Sequence, residues 1–213
     1  MKRPLVCPTV LAFTENGYRE QLNRVVSFAH RVQIDLSDGN FAPTKTVSAE
    51  EVEWPVGLIV DIHLMYDHPV DAIKTLLPHK PNLIITHAEA DGDFQEIVQL
   101  CKENDIKVGV ALLKETEASM LVPAIEQIDH VLIFSGDLGK YGGRADLSLL
   151  DKARFLKNLK PSLEIGWDGG INDENIVEIA KGGVDVLNVG GFIQKSHEPE
   201  SAFRILHSML NAL

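Results

Sequence analysis

Cysteine is nearly absent. Only Cys7 and Cys101 occur in 213 residues. Two are too few for a disulfide framework and lack metal-site spacing, so they are expected to be small buried hydrophobes in a reducing, cytoplasmic environment. Positive charge is scarce as well: 20 Lys and Arg stand against 31 Asp and Glu, a formal net charge of −11 with a pI near 5.1. Surfaces for nucleic acid or anionic membranes are built from clustered Lys and Arg, so neither partner is expected. A phosphorylated small molecule needs only a local nest of backbone N–H groups and remains compatible. No apolar run approaches a membrane span. The stretch after the basic Met1-Lys2-Arg3 is broken by Pro4 and Pro8, so it reads as a strand and not as a signal-peptide core. Linkers and low-complexity segments are missing too. With 45% hydrophobic and 24% charged residues, residues 1–213 are expected to form one domain around a full core.

What the sequence does contain is an alternation of two periods. Eight β-like runs lie at Leu5–Leu11, Val32–Leu36, Leu58–Met65, Leu83–Ala88, Lys107–Leu113, His130–Ser135, Ser162–Trp167 and Val184–Val189. Helical spacing lies between them: Tyr18, Leu22, Val25, Val26 and Ala29 form one face, and Phe94, Ile97, Val98 and Cys101 another. Further helices are predicted at Glu115–Glu126, Leu147–Leu159, Asp173–Lys181 and Pro199–Leu210. Strand starts recur every 22 to 32 residues or so, about one βα unit, which predicts an α/β fold of the (β/α)8 TIM-barrel type. An open doubly wound sheet would carry a Gly-rich fingerprint after its first strand, where this chain has Ala12-Phe13-Thr14-Glu15, with Thr14 a helix N-cap.

In a barrel, function sits at the carboxyl ends of the strands, and six of these ends are polar: Thr9, Asp35, His63, His87, Ser135 and Asp168. Strand parity puts Gln33 with Asp35, Asp61 with His63 and Met65, and Glu164 with Gly166 and Asp168, all opposite their apolar neighbours. In a closed sheet, two carboxylates, an imidazole and a carboxamide therefore converge at the mouth, a set suited to a divalent metal and two-sided proton transfer. The pairs Gly142-Gly143, Gly169-Gly170 and Gly190-Gly191 follow the last three strands, where barrels commonly build a phosphate site. The irregular stretch from Gly136 to Asp146 is expected to cover the mouth as a mobile loop, with Lys140 or Arg144 closing over the phosphate.

These blocks resemble a known family. Val32-Gln-Ile-Asp35-Leu-Ser-Asp38-Gly39-Asn-Phe41-Ala-Pro43, Asp61-Ile-His63-Leu-Met65, Thr86-His87-Ala-Glu89-Ala90 and Asp168-Gly169-Gly170-Ile171 are similar to the signature segments of ribulose-phosphate 3-epimerases, in the same order. The resemblance runs from Cys7-Pro8-Thr9 to Val189-Gly190-Gly191. It implies a barrel isomerase that inverts C3 of a ketose phosphate, ribulose 5-phosphate or a close analogue, with Asp35 and Asp168 as acid and base on opposite substrate faces. It also implies a divalent cation (zinc, iron, manganese or cobalt) held by Asp35, His63 and Asp168, a hydroxyl from Thr9 to the substrate, and a supporting His87. The expected partners are the phosphorylated ketose and further copies of the chain, in a dimer or larger homo-oligomer.

The chain also departs from that pattern. Gln33 stands where the family has a histidine ligand, so either its carbonyl completes a weaker metal shell or its amide hydrogen-bonds the substrate or Asp35 in a metal-free site. Ser37 and Phe134 replace methionines, and Asn40 a histidine. Two other readings remain. Sibling phosphosugar lyases or decarboxylases carry Asp-x-Lys-x-x-Asp on the third strand, where this chain has Asp61-Ile-His63-Leu-Met-Tyr66. A non-catalytic phosphosugar-binding barrel would not need opposed carboxylates.

Overall fold

Runs rich in Val, Ile and Leu form eight strands, and their extended backbone sends alternate side chains to opposite faces. In the computed structural model, which describes residues 3–213, these are β1 Leu5–Leu11, β2 Arg31–Ser37, β3 Ile59–Met65, β4 Leu83–His87, β5 Lys107–Leu112, β6 His130–Phe134, β7 Glu164–Asp168 and β8 Val186–Val189. Met1 and Lys2, the start of the basic opening, lie outside the described residues. The strands pair in parallel in sequence order and β8 closes on β1, which is the expected barrel. Around it lie α1 Glu15–Asn23, α2 Val70–Leu76, α3 Phe94–Glu103, α4 Leu150–Leu159, α5 Ile176–Lys181, the single turn α6 Gly191–Gln194, and α7 Pro199–Asn211. Thr14 caps α1 by accepting from the Gly17 N–H. Among the described residues, no helix is long and apolar enough to cross a membrane.

Local chemistry overrides the expected helices in several places. The predicted Glu115–Glu126 helix is instead a 3-10 helix at Ala118–Gln127, because Pro123 lies inside it and has no N–H to give. The face beginning at Tyr18 is helical only to Asn23, with Val25 and Ala29 still buried in the turns beyond. The predicted Leu147–Leu159 helix opens with a 3-10 turn at Leu147–Leu149, and the Asp173–Lys181 helix begins only at Ile176. No helix follows β2; the long connection to β3 buries Val47, Ala49 and Val52 against the main core instead.

The two faces of the barrel wall have separate cores. Val32, Ile34, Leu36, Ile62, Leu64, Ile84, Val110, Ile133, Ile165, Trp167 and Leu187 point outward into the layer shared with the helices. Each such buried side chain contributes about 1.5–3 kcal/mol relative to exposure. Leu83, Ile85, Ala111 and Leu132 form a smaller cluster inside the barrel. Its amino-terminal end is closed by charge: the Arg31 guanidinium donates to Asp61 Oδ2 at 2.6 Å and, as a fork, to both Glu164 oxygens at 2.8 and 3.1 Å. Asn82 Nδ2 donates to Asp61 Oδ1 at 2.7 Å, and His130 Nδ1 lies 2.9 Å from Glu164 Oε2. The carboxyl-terminal end is left for the site. Both cysteines are buried and unpaired, as expected.

Candidate active site

The carboxyl ends of β1, β2, β3, β6, β7 and β8, with the connection after β6, enclose a cavity of about 240 Å3. Thr9, Asp35, His63 and Asp168 all line it, as do Gly142, Gly143, Gly169, Gly170, Gly190 and Gly191. The register explains the convergence of the chemistry. Asp35 is paired with His63 across β2–β3, and Asp168 ends β7 beside Phe134 of β6. Asp35, His63 and Asp168 each offer one ligand atom, and the three atoms lie within 4.8 Å of one another.

Gln33 is not in the wall of the cavity; it is buried beneath it. Its Nε2 donates to Asp35 Oδ1 at 2.8 Å and also to Asp168 Oδ2, so one amide bridges the two carboxylates. His63 Nδ1 lies 3.0 Å from the same Asp35 oxygen, and its Nε2 lies 2.9 Å from His87 Nε2. Behind that, His87 Nδ1 and Glu89 Oε2 stand 3.4 Å apart, an ion-pair distance without hydrogen-bond alignment. Burial pushes the His87 imidazole down to about 4, against the pull of Glu89, so its ring is neutral near pH 7. Burial, with the neighbouring Asp35 charge, pushes the Asp168 carboxyl up to about 7.

The donor set fits a divalent cation. Two carboxylates and an imidazole suit zinc-like and manganese-like ions, and His87 and Glu89 behind His63 supply the outer partners that fix a ligating ring. Gln33 turns its nitrogen to the carboxylates; an amide turned the other way would present a neutral oxygen to the same place.

The other predicted residues divide by role. His87 lies behind His63 and packs against Phe41 at a tilt and against Phe134 edge-on, at centroid distances of 4.6 and 5.9 Å. Ser135 is buried and accepts from the Asp146 N–H at 2.7 Å, so it anchors the loop and does not face the cavity. Asp38 accepts from the N–H groups of Asn40, Phe41 and Asp67, which shapes the connection after β2. The 136–146 loop does cover the mouth, and it is tied down: Thr44 Oγ1 donates to Gly139 O at 2.9 Å, and the Tyr141 hydroxyl donates to Gln21 Oε1 at 2.6 Å. Gly169 and Gly170, at φ 111° and 72°, are in the left-handed region, and a Cβ on either would collide with the loop backbone at Gly136 and Ala145. Lys140 reaches the cavity, Arg144 does not, and Lys195 does. Sequence reasoning missed Tyr141, Asn188 and Lys195. Tyr141 and Lys195 lie outside the strands, where parity gives no orientation, while Asn188 has inward parity on β8 that could have flagged it.

The ribulose-phosphate 3-epimerase family model matches residues 5–193. The chain belongs to this family. Membership makes it an isomerase, an epimerase acting on carbohydrates. A ribulose-phosphate 3-epimerase of Helicobacter pylori is 32% identical over 196 residues, covering 88% of this chain and 90% of that protein. One of Aquifex aeolicus is 30% identical over 214 residues, covering 97% and 96%. Among solved structures, KGPDC of Streptococcus mutans superposes with a TM-score of 0.78 at 13% identity, over 99% of both chains. A 3-hexulose-6-phosphate synthase of Salmonella typhimurium gives 0.74 at 16% identity, over 100% and 99%. At these identities the structural likeness extends to the barrel fold.

Proposed function

We propose that this epimerase inverts C3 of ribulose 5-phosphate or a close analogue by proton transfer between Asp35 and Asp168. The observation that carries the reading is the placement of both carboxylates in one small cavity, bridged by a single amide. One carboxylate removes the C3 proton and the electron pair moves into the C2 carbonyl, giving an enediolate. The other carboxyl, protonated, returns a proton to C3 from the opposite face as the carbonyl re-forms. Each turnover exchanges the protonation states of the pair, which then reset with solvent. Gln33 holds the two groups at fixed spacing, and the loop through Tyr141 limits water at the mouth.

Asp35, His63 and Asp168 are the residues that would hold a divalent cation. When bound there, a zinc-, iron-, manganese- or cobalt-like ion supplies positive charge to the oxygens of the enediolate. Gln33→His is expected to raise affinity for a zinc-like ion by at least about tenfold, since imidazole is the stronger donor to such metals. Equilibrium dialysis of both proteins against zinc checks this; equal affinities would remove Gln33 from the ligand shell.

Gly142, Gly143, Gly169, Gly170, Gly190 and Gly191 form the proposed phosphate nest, with Lys140 and Lys195 as the flanking cations. Two charge-assisted hydrogen bonds at about 1.5–3 kcal/mol each imply a kcat/KM for dephosphorylated ribulose about 10²-fold lower or worse. Comparable rates on the two sugars would contradict the nest. Against a lyase, Asp61 is committed to Arg31 and Asn82 at the far end of the barrel, and the β3 side chains facing the cavity are His63 and Met65.

The direct test is an assay of ribulose 5-phosphate conversion to its C3 epimer, with and without added divalent metal. Failure of the purified protein to epimerise any ketose 5-phosphate under both conditions would overturn the assignment.

A further inference from the structure

Asn188 is the one cavity-lining side chain among the described residues whose polar atoms are all buried and all unpaired. It lies on β8, only 2% exposed, and neither Nδ2 nor Oδ1 has a hydrogen-bond partner. Its strand neighbours do not supply one: Cys7 on β1 has only a weak contact to the Pro8 carbonyl, and Asp168 on β7 is engaged by Gln33. A buried amide left in this state is costly, and structural asparagines are normally satisfied by backbone. Asn188 lines the cavity, so a ligand that enters there can supply the partner.

The chemistry of that partner is constrained. A carboxamide offers a donor and an acceptor side by side, and a group that satisfies both at once must also donate and accept. An alcohol hydroxyl does so; a ketone or phosphate oxygen, which only accepts, does not. Position narrows the choice further. Asn188 is directly beside Asp168 in the β7–β8 register and two residues before Gly190 on its own strand. It thus sits between the proton-transfer pair and the phosphate nest. In a pentulose 5-phosphate, the carbon between the reacting C3 and the phosphate-bearing C5 is C4.

We propose that Asn188 is a specificity-determining residue that binds the C4 hydroxyl of the sugar, an inference that rests on the epimerase reading above. It makes the enzyme selective for substrates hydroxylated at C4 and destabilises the ligand-free protein in exchange for that selectivity.

The test uses the full chain with Asn188→Leu, close to isosteric, and Asn188→Val as a smaller β-branched control suited to a strand. Ribulose 5-phosphate and its 4-deoxy analogue are the two substrates. The wild type should use the deoxy compound at least about 10²-fold less efficiently by kcat/KM, because the amide is left unpaired by it. In both variants that ratio should collapse to within about threefold, mainly through a higher KM for ribulose 5-phosphate. The ligand-free variants should also melt higher, by about 2–4 °C, since the unmet polar group is gone. A residue satisfied by a buried water or serving only packing would give the reverse: a lower melting temperature and an unchanged ratio, and that result overturns the proposal. Absence of wild-type turnover on ribulose 5-phosphate would instead overturn the functional reading. Normal wild-type turnover with an unaltered ratio in either folded variant would overturn the role of Asn188 alone.

Discussion

Asp35→Asn and Asp168→Asn are each expected to lower kcat for C3 epimerisation by about 10⁴-fold while leaving the protein folded. The amide keeps the size of the carboxylate and can still accept from Gln33 Nε2, so the bridging geometry has a substitute partner. What it cannot do is take up and release a proton. Because inversion needs one group on each face, the two variants should differ in an informative way in heavy water. Each should keep deuterium exchange at C3 for the epimer whose C3–H faces the surviving carboxylate, and lose it for the other. Mass spectrometry of recovered sugar reads this directly, and circular dichroism checks the fold. Turnover within about tenfold of the wild type in either variant would be incompatible with a two-carboxylate mechanism.

Arg31→Met should destabilise the fold by about 3–5 kcal/mol, although Arg31 lies at the opposite end of the barrel from the chemistry. Among the described residues the guanidinium is the sole cation paired with Asp61, whose side chain is 2% exposed, and it also binds Glu164 through its fork. Removing it leaves a buried carboxylate uncompensated. For a chain of this size the melting temperature should fall by about 6–20 °C. Burial alone would raise the Glu164 carboxyl, but hydrogen bonds from His130 and Arg31 outweigh it and hold the group well below the usual carboxylate range. The sign of the pH dependence follows. Stability from a depressed carboxyl is fully present above its unfolded value, about 4.3, and is lost as pH falls from there toward the folded value. The wild type should therefore lose stability steeply below about pH 4.3, and Arg31→Met should flatten that acid limb. A denaturation series in urea from pH 3 to 7 measures both effects; an unchanged midpoint at pH 7 would mean that the network contributes nothing net.

Much of this protein is determined by local sequence. The eight strands, and the grouping of Gln33 with Asp35, Asp61 with His63, and Glu164 with Asp168 on one face of each, follow from the two-residue period of extended backbone, which needs no knowledge of neighbours. Thr14 could be placed as a cap for the same reason, since its partner Gly17 is only three residues away. The Ala118–Gln127 segment departs from its apolar spacing, which suits an α-helix, because Pro123 withholds an N–H from the middle of it. Tertiary structure alone decided which polar groups touch. Parity places Gln33 inside the barrel but cannot say that its amide spans two carboxylates on β2 and β7, because that distance is set by barrel closure. Nor does sequence separate Ser135, spent on anchoring a loop, from Thr9, which faces the cavity. Tyr141, Lys195 and the unmet amide of Asn188 belong to the same class: their roles depend on packing between segments up to 180 residues or so apart, and a side chain's direction across such a separation is fixed only once the sheet has closed.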